Sequence, residues 1–187
     1  MVSTVHSEVS FGRAAHQTRR TTRVGLLAAV GIALFVLESF IPLPFPFLKI
    51  GLANISTVLA LDLLGFPEGV LVTSIRVIVG STIVGSLFSP GFVLALGGGL
   101  ASVAVMGAAR RMTGEMFSLV GISLMGSVTH VMTQWFLVLI LFVQNAALGM
   151  LLPLLLLSAL FGGLVVGWIA VKVVAVLGPY IAVIARP

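Results

Sequence analysis

The chain has no cysteine. Disulfides, thiolate metal sites and thiol nucleophiles are therefore excluded. Charge is nearly as scarce. Only 8% of the 187 residues are Asp, Glu, Lys or Arg, and there is a single aspartate, Asp62. A water-soluble domain of this length needs far more charge to cover its surface. One aspartate also cannot form the clustered carboxylates that hold magnesium and a diphosphate. No G-x-x-x-x-G-K-[ST], no H-E-x-x-H and no G-x-S-x-G occurs, so nucleotide hydrolysis, zinc peptidase and serine hydrolase chemistry have no residues to run on. Voltage-sensor spacing and pore-filter motifs are missing as well. No catalytic residue, metal site or cofactor is expected.

What remains is oil. Hydrophobic residues make up 59% of the chain, the mean hydropathy is +1.26, and the apolar residues come in long runs. A bilayer-crossing helix takes roughly 20 of them. The expected fold is an all-α membrane protein of six transmembrane helices. Residues 1–23 form a polar N-terminal tail and residues 24–187 one membrane domain embedded in the lipid bilayer. Helices are placed at 24–41, 51–65, 67–88, 91–110, 117–143 and 148–176. Pro42, Pro44 and Pro46 end the first. Gly65-Phe66-Pro67, Ser89-Pro90-Gly91, the Arg110 to Glu115 stretch and Gln144-Asn145 make the later breaks, and Pro153 falls in the first turns of helix 6.

The net charge of +5 is no nucleic-acid footprint, because the cations sit at helix ends rather than on one face. With the N-terminus inside, the inner segments hold Arg13, Arg19, Arg20, Arg23, Arg110, Arg111, Lys172 and Arg186, and the outer loops only Lys49. Both termini are thus expected in the cytoplasm. The N-terminal arginines are not expected to start a signal peptide, since the apolar run that follows is too long and lacks a small-residue cleavage site.

Polar residues inside an apolar bundle are expensive and seldom idle. They are Glu38, Asn54, Asp62, Arg76, His130 and Gln134. Counting about 1.5 Å per residue from the inner helix ends places Asp62 about 5 Å deep, where it caps or pairs at the surface. Arg76 and Asn54 fall at about 14–16 Å, Glu38 and His130 at about 20 Å, and Gln134 one turn further out. The last five share one layer and can converge on a cavity open to the outside. Two readings of Arg76 stand: an ion pair with Glu38, or a contact to an anionic or strongly polar ligand. His130 and Gln134 share a helix face. A single intramembrane histidine cannot ligate a haem from both sides. Small residues recur every four positions at Gly25, Ala29 and Ala33 and again at Gly163 and Gly167, and Gly97-Gly98-Gly99 lies in helix 4. Such stripes admit close helix approach, either within the bundle or toward another membrane subunit.

Three stretches carry a family resemblance. They are Glu38-Ser39-Phe40-Ile41-Pro42-Leu43-Pro44 leading into Lys49-Ile50-Gly51-Leu52-Ala53-Asn54; Leu64-Gly65-Phe66-Pro67-Glu68-Gly69 leading to Arg76 and Gly80-Ser81; and Phe117 to Gly126 leading to His130 and Gln134. Over roughly residues 24–175 the chain resembles the bacterial membrane family labelled Gx transporter or heptaprenyl diphosphate synthase component I. That family is in turn similar to the substrate-binding S components of energy-coupling-factor (ECF) vitamin transporters. The resemblance implies an ECF S-component-like bundle in the bacterial cytoplasmic membrane, with a cavity facing outward for a small-molecule substrate. Its ligand-binding residues would be Arg76, Glu38, Asn54, His130 and Gln134. The segment Pro42 to Gly51 would be a lid. Gly25, Ala29 and Ala33 would dock onto a transmembrane coupling subunit that carries cytoplasmic ATPases. Where the family often has Asn after the helix-5 His, this chain has Val131. The other reading is a non-catalytic membrane partner in isoprenoid or quinone biosynthesis, and a weaker one a structural subunit of a membrane redox complex.

Overall fold

A computed structural model describes the backbone of residues 2–41, 51–114, 116–143 and 145–185, and the side chains of 17–41, 51–114, 116–143, 145 and 147–177. All regular structure among the described residues is helical. The order is α1 (Val2–Ser39), α2 (Asn54–Leu63), α3 (Phe66–Ile83), α4 (Pro90–Thr113), α5 (Leu119–Leu141), a 3₁₀ segment (Ala146–Leu151) and α6 (Leu152–Ala185). Five of the helices hold stretches long and apolar enough to cross a membrane: Gln17–Ser39, Phe66–Ile83, Pro90–Thr113, Leu119–Leu141 and Ala147–Leu177. The chain is thus a multi-pass membrane protein. The sixth helix, α2, has only ten residues, or about 15 Å of rise, half of a hydrocarbon core.

Two boundaries depart from the sequence reading in ways that matter. The first helix does not begin at residue 24 but runs back through the polar stretch to Val2. There Thr21 and Thr22 bond the carbonyls of Gln17 and Thr18, each at 3.0 Å, a local bond that a helix interior tolerates. Helix 3 does not reach residue 88. It stops at Ile83 because Gly85 adopts φ +73° while the Ser86 N–H donates to Ser81 O at 2.8 Å. This is the closure of a helix end around a left-handed glycine. Apolar residues continue through Val84 and Phe88, so hydropathy alone overran the stop. The turn from α2 into α3 falls at Gly65, whose φ of +119° and ψ of 178° belong to a region that only glycine occupies readily.

The short helix α2 is the axis of the bundle. It packs against all five other α-helices, and residues 54–61 are all buried. Ile55, Val58, Leu59 and Leu61 join Val103, Met106, Ile122, Val166 and Ala170 in one core. Leu26, Leu37, Leu157, Phe161 and Trp168 point outward, as side chains in lipid do. Glycines set the closest contacts. A Cβ on Gly167 would stand 2.7 Å from the backbone Cα of Val120, and one on Gly163 would stand 3.0 Å from that of Leu124. The helix-6 stripe is therefore used inside the bundle, where Ser123 also donates to Gly163 O at 2.9 Å.

Candidate ligand site and docking face

Where α2 begins, its first N–H groups need acceptors. The N-cap residue, Ala53, has no side chain that could cap it. Glu38, in the last turn of α1 and 6% exposed, does so instead. Its Oε1 accepts from Leu52 N–H at 2.7 Å and its Oε2 from Ala53 N–H at 3.4 Å. A carboxylate is favoured there by the helix dipole.

Asn54 is the first residue of α2, and its Oδ1 accepts from Arg76 Nη2 at 2.6 Å. Arg76 is 3% exposed, and its Nε–H has no acceptor. It makes no ion pair with any described residue. Of the two readings of Arg76, the direct pair with Glu38 is not formed, because the amides of Leu52 and Ala53 take up that carboxylate. Two glycines give the arginine room. A Cβ on Gly31 of α1 would meet Arg76 Cδ at 3.2 Å, and one on Gly99 of α4 would meet Thr73 Cγ2 at 2.9 Å and Arg76 Nη2 at 3.9 Å. Beneath the arginine, Thr57 and Thr73 share a 2.8 Å hydroxyl bond.

His130 and Gln134 lie on a neighbouring flank of α4. A Cβ on Gly98 would stand 3.0 Å from His130 O, 3.2 Å from His130 Cδ2 and 3.0 Å from Gln134 Cγ. Gln134 Nε2 donates to Leu94 O at 3.4 Å. Gln134 also lines an almost wholly apolar recess with Val131, Trp135, Val138, Leu148, Leu151 and Leu155. Glu38, Asn54 and Arg76 thus form one hydrogen-bonded group at the start of α2. His130 and Gln134 form a second, separated from it by the turn of α4 that holds Gly98 and Gly99. Of the expected lid, Pro42 to Gly51, residues 42–50 with Lys49 lie outside the described residues.

The opposite end of α2 is fastened by charge. Asp62 pairs with Arg110, which also donates to Phe117 O at 3.3 Å. The pairing expected for Asp62 is therefore found. Glu68, 7% exposed, accepts from Arg20 Nε at 2.6 Å. Sequence reasoning missed this acid, although its place just after Pro67, next to the inner arginine run, was a signal for it. Ser81 was missed too. Its Oγ is buried without a partner. Among the described residues no three His, Asp or Glu side chains gather as metal ligands.

On α1 the buried positions are Val24, Ala28, Gly31, Phe35 and Glu38, whereas Gly25, Ala29 and Ala33 are exposed on the outside of the bundle. A Cβ on Gly25 would meet nothing within 4 Å. No curated protein and no solved structure matches the chain. A family match does cover residues 27–173, well over half the chain, with Glu38, Asn54, Arg76, His130 and Gln134 inside it. The chain belongs to the family described as heptaprenyl diphosphate synthase component I.

Proposed function

We propose that this protein is the substrate-capture subunit of an energy-coupling-factor-type importer, binding a small polar metabolite from outside the cell. The observation that carries this reading is Arg76, a buried cation deep in the bundle with a donor to spare. Sealed inside hydrocarbon, such a group is costly unless something polar meets it. Glu38 and Asn54 would complete the site from α1 and α2, while His130 and Gln134 would border it from α5 across the Gly98–Gly99 turn of α4. The chain would lie in the bacterial cytoplasmic membrane with both termini inside, and would do no chemistry of its own. The outward face of Gly25, Ala29 and Ala33 would dock a transmembrane coupling subunit, whose ATPases supply the energy. Uptake into proteoliposomes, with and without a coupling module, tests it. Transport at full rate by the purified chain alone would overturn it.

The family description supports a second reading, a non-catalytic membrane partner of a prenyl diphosphate synthase. Co-purification separates the two. A soluble prenyl synthase as the stable partner, with raised activity, favours the second. A membrane coupling subunit favours the first.

A further inference from the structure

Arg76 lacks one particular thing, an anionic oxygen on Nε. Its Nη2 bond goes to an amide oxygen, which satisfies a donor but brings no charge into direct contact with the guanidinium. The one acid in the group, Glu38, is engaged with Leu52 N–H and Ala53 N–H, and turning it away would leave the start of α2 uncapped. The charge has nowhere to move. The glycines Gly31 and Gly99 leave room for the side chain inside the bundle, and Arg76 is buried there, so its guanidinium is enclosed rather than open to water.

The geometry points to a ligand that carries a single carboxylate, received by Arg76. This assignment deepens the capture reading and rests on it for the direction of transport. Charge decides between anions. Arg76 and Glu38 sum to zero. A monocarboxylate brings the group to one negative charge, part of which the N-terminus of α2 offsets by about half a charge. A phosphate dianion would bring it to two, in a place where unpaired charge is heavily penalised. A neutral amide could accept from Nε, but it brings one oxygen where a carboxylate brings two and no charge opposite the guanidinium.

The test uses the purified full chain in detergent. Thermal unfolding is followed against butyrate and benzoate, their neutral analogues butyramide and benzamide, and methyl phosphate as dianion, all at fixed ionic strength. The carboxylates are expected to stabilise saturably, with apparent affinity at least about tenfold above the amides and above methyl phosphate. Arg76→Gln is expected to abolish that preference and Arg76→Lys to keep a reduced one. If Arg76→Gln does not fold, Glu38→Gln serves instead. It keeps an oxygen for the cap, removes one negative charge and is expected to narrow the gap between methyl phosphate and butyrate. Equal response to acid and amide, no response to any probe, or an unchanged response in Arg76→Gln would overturn the assignment. Mass spectrometry of compounds retained by the chain separates the two claims. A neutral or cationic compound sinks the carboxylate and leaves capture standing. Carboxylate binding at Arg76 with no uptake from any coupling module sinks capture and leaves the anion site.

Discussion

Glu38 Oε1 and the amide of Leu52 are joined at 2.7 Å across 14 residues of sequence, so the last turn of α1 closes the first turn of α2. Losing that acceptor exposes helix-end N–H groups inside the bundle. Glu38→Ala is expected to cost about 1–2 kcal/mol, the scale of a lost N-cap. Glu38→Gln keeps an oxygen and is expected to cost less. Thermal unfolding in detergent ranks the two, and equal losses would show that the cap contributes little.

Asn54 supplies the acceptor for Arg76 Nη2. Asn54→Leu leaves a second donor of a buried cation bare and is expected to cost about 3 kcal/mol, the upper end for an orphaned polar group. Asn54→Asp places a carboxylate against the guanidinium. It is expected to unfold at or above the wild-type temperature while losing carboxylate binding, because an internal anion then occupies the charge. Unfolding midpoints and butyrate titrations of the two variants check both parts.

Two glycines with similar apparent crowding are expected to behave differently. A Cβ on Gly126 would stand 2.4 Å from Met106 Sδ and 3.0 Å from Ser102 Oγ, and one on Gly107 would stand 2.3 Å from Phe66 Cδ2. Met106 is 1% exposed and has no room to retreat, whereas Phe66 is 46% exposed and can swing into lipid. Gly126→Ala is therefore expected to cost about 1–3 kcal/mol, the range for overpacking, and Gly107→Ala clearly less. Comparing their unfolding midpoints checks the order.

Ala29 faces out of the bundle, so Ala29→Phe is expected to leave the unfolding midpoint within about 0.5 kcal/mol of wild type, as exposed substitutions usually do. The same change fills the shallow stripe between Gly25 and Ala33 and is expected to abolish co-purification with a membrane partner. Pull-down beside the unfolding curve separates a lost interface from a lost fold.

The helices themselves were legible because proline and glycine punctuate them. Pro67 and Pro90 start α3 and α4 within a residue of their expected places. The left-handed stop at Gly85 was hidden by the apolar residues around it, and the helical state of the polar N-terminal stretch was hidden by its composition. The polar group at the start of α2 was legible in part. Burial cost marks Glu38, Asn54 and Arg76 from sequence alone. Which of them bond each other depends on a backbone feature, the uncapped start of α2, that makes Glu38 choose amides over Arg76. Glu68 was overlooked because an acid in a helix's first turn has an ordinary explanation in the dipole.

The shortness of α2 divides the molecule's tasks. Its ten residues carry the tightly interlocked packing, and the polar group sits at its upper tip. The hydrogen-bonded group of Glu38, Asn54 and Arg76 shares no member with that apolar core, so it can be rewritten while the foundation beneath stays unaltered.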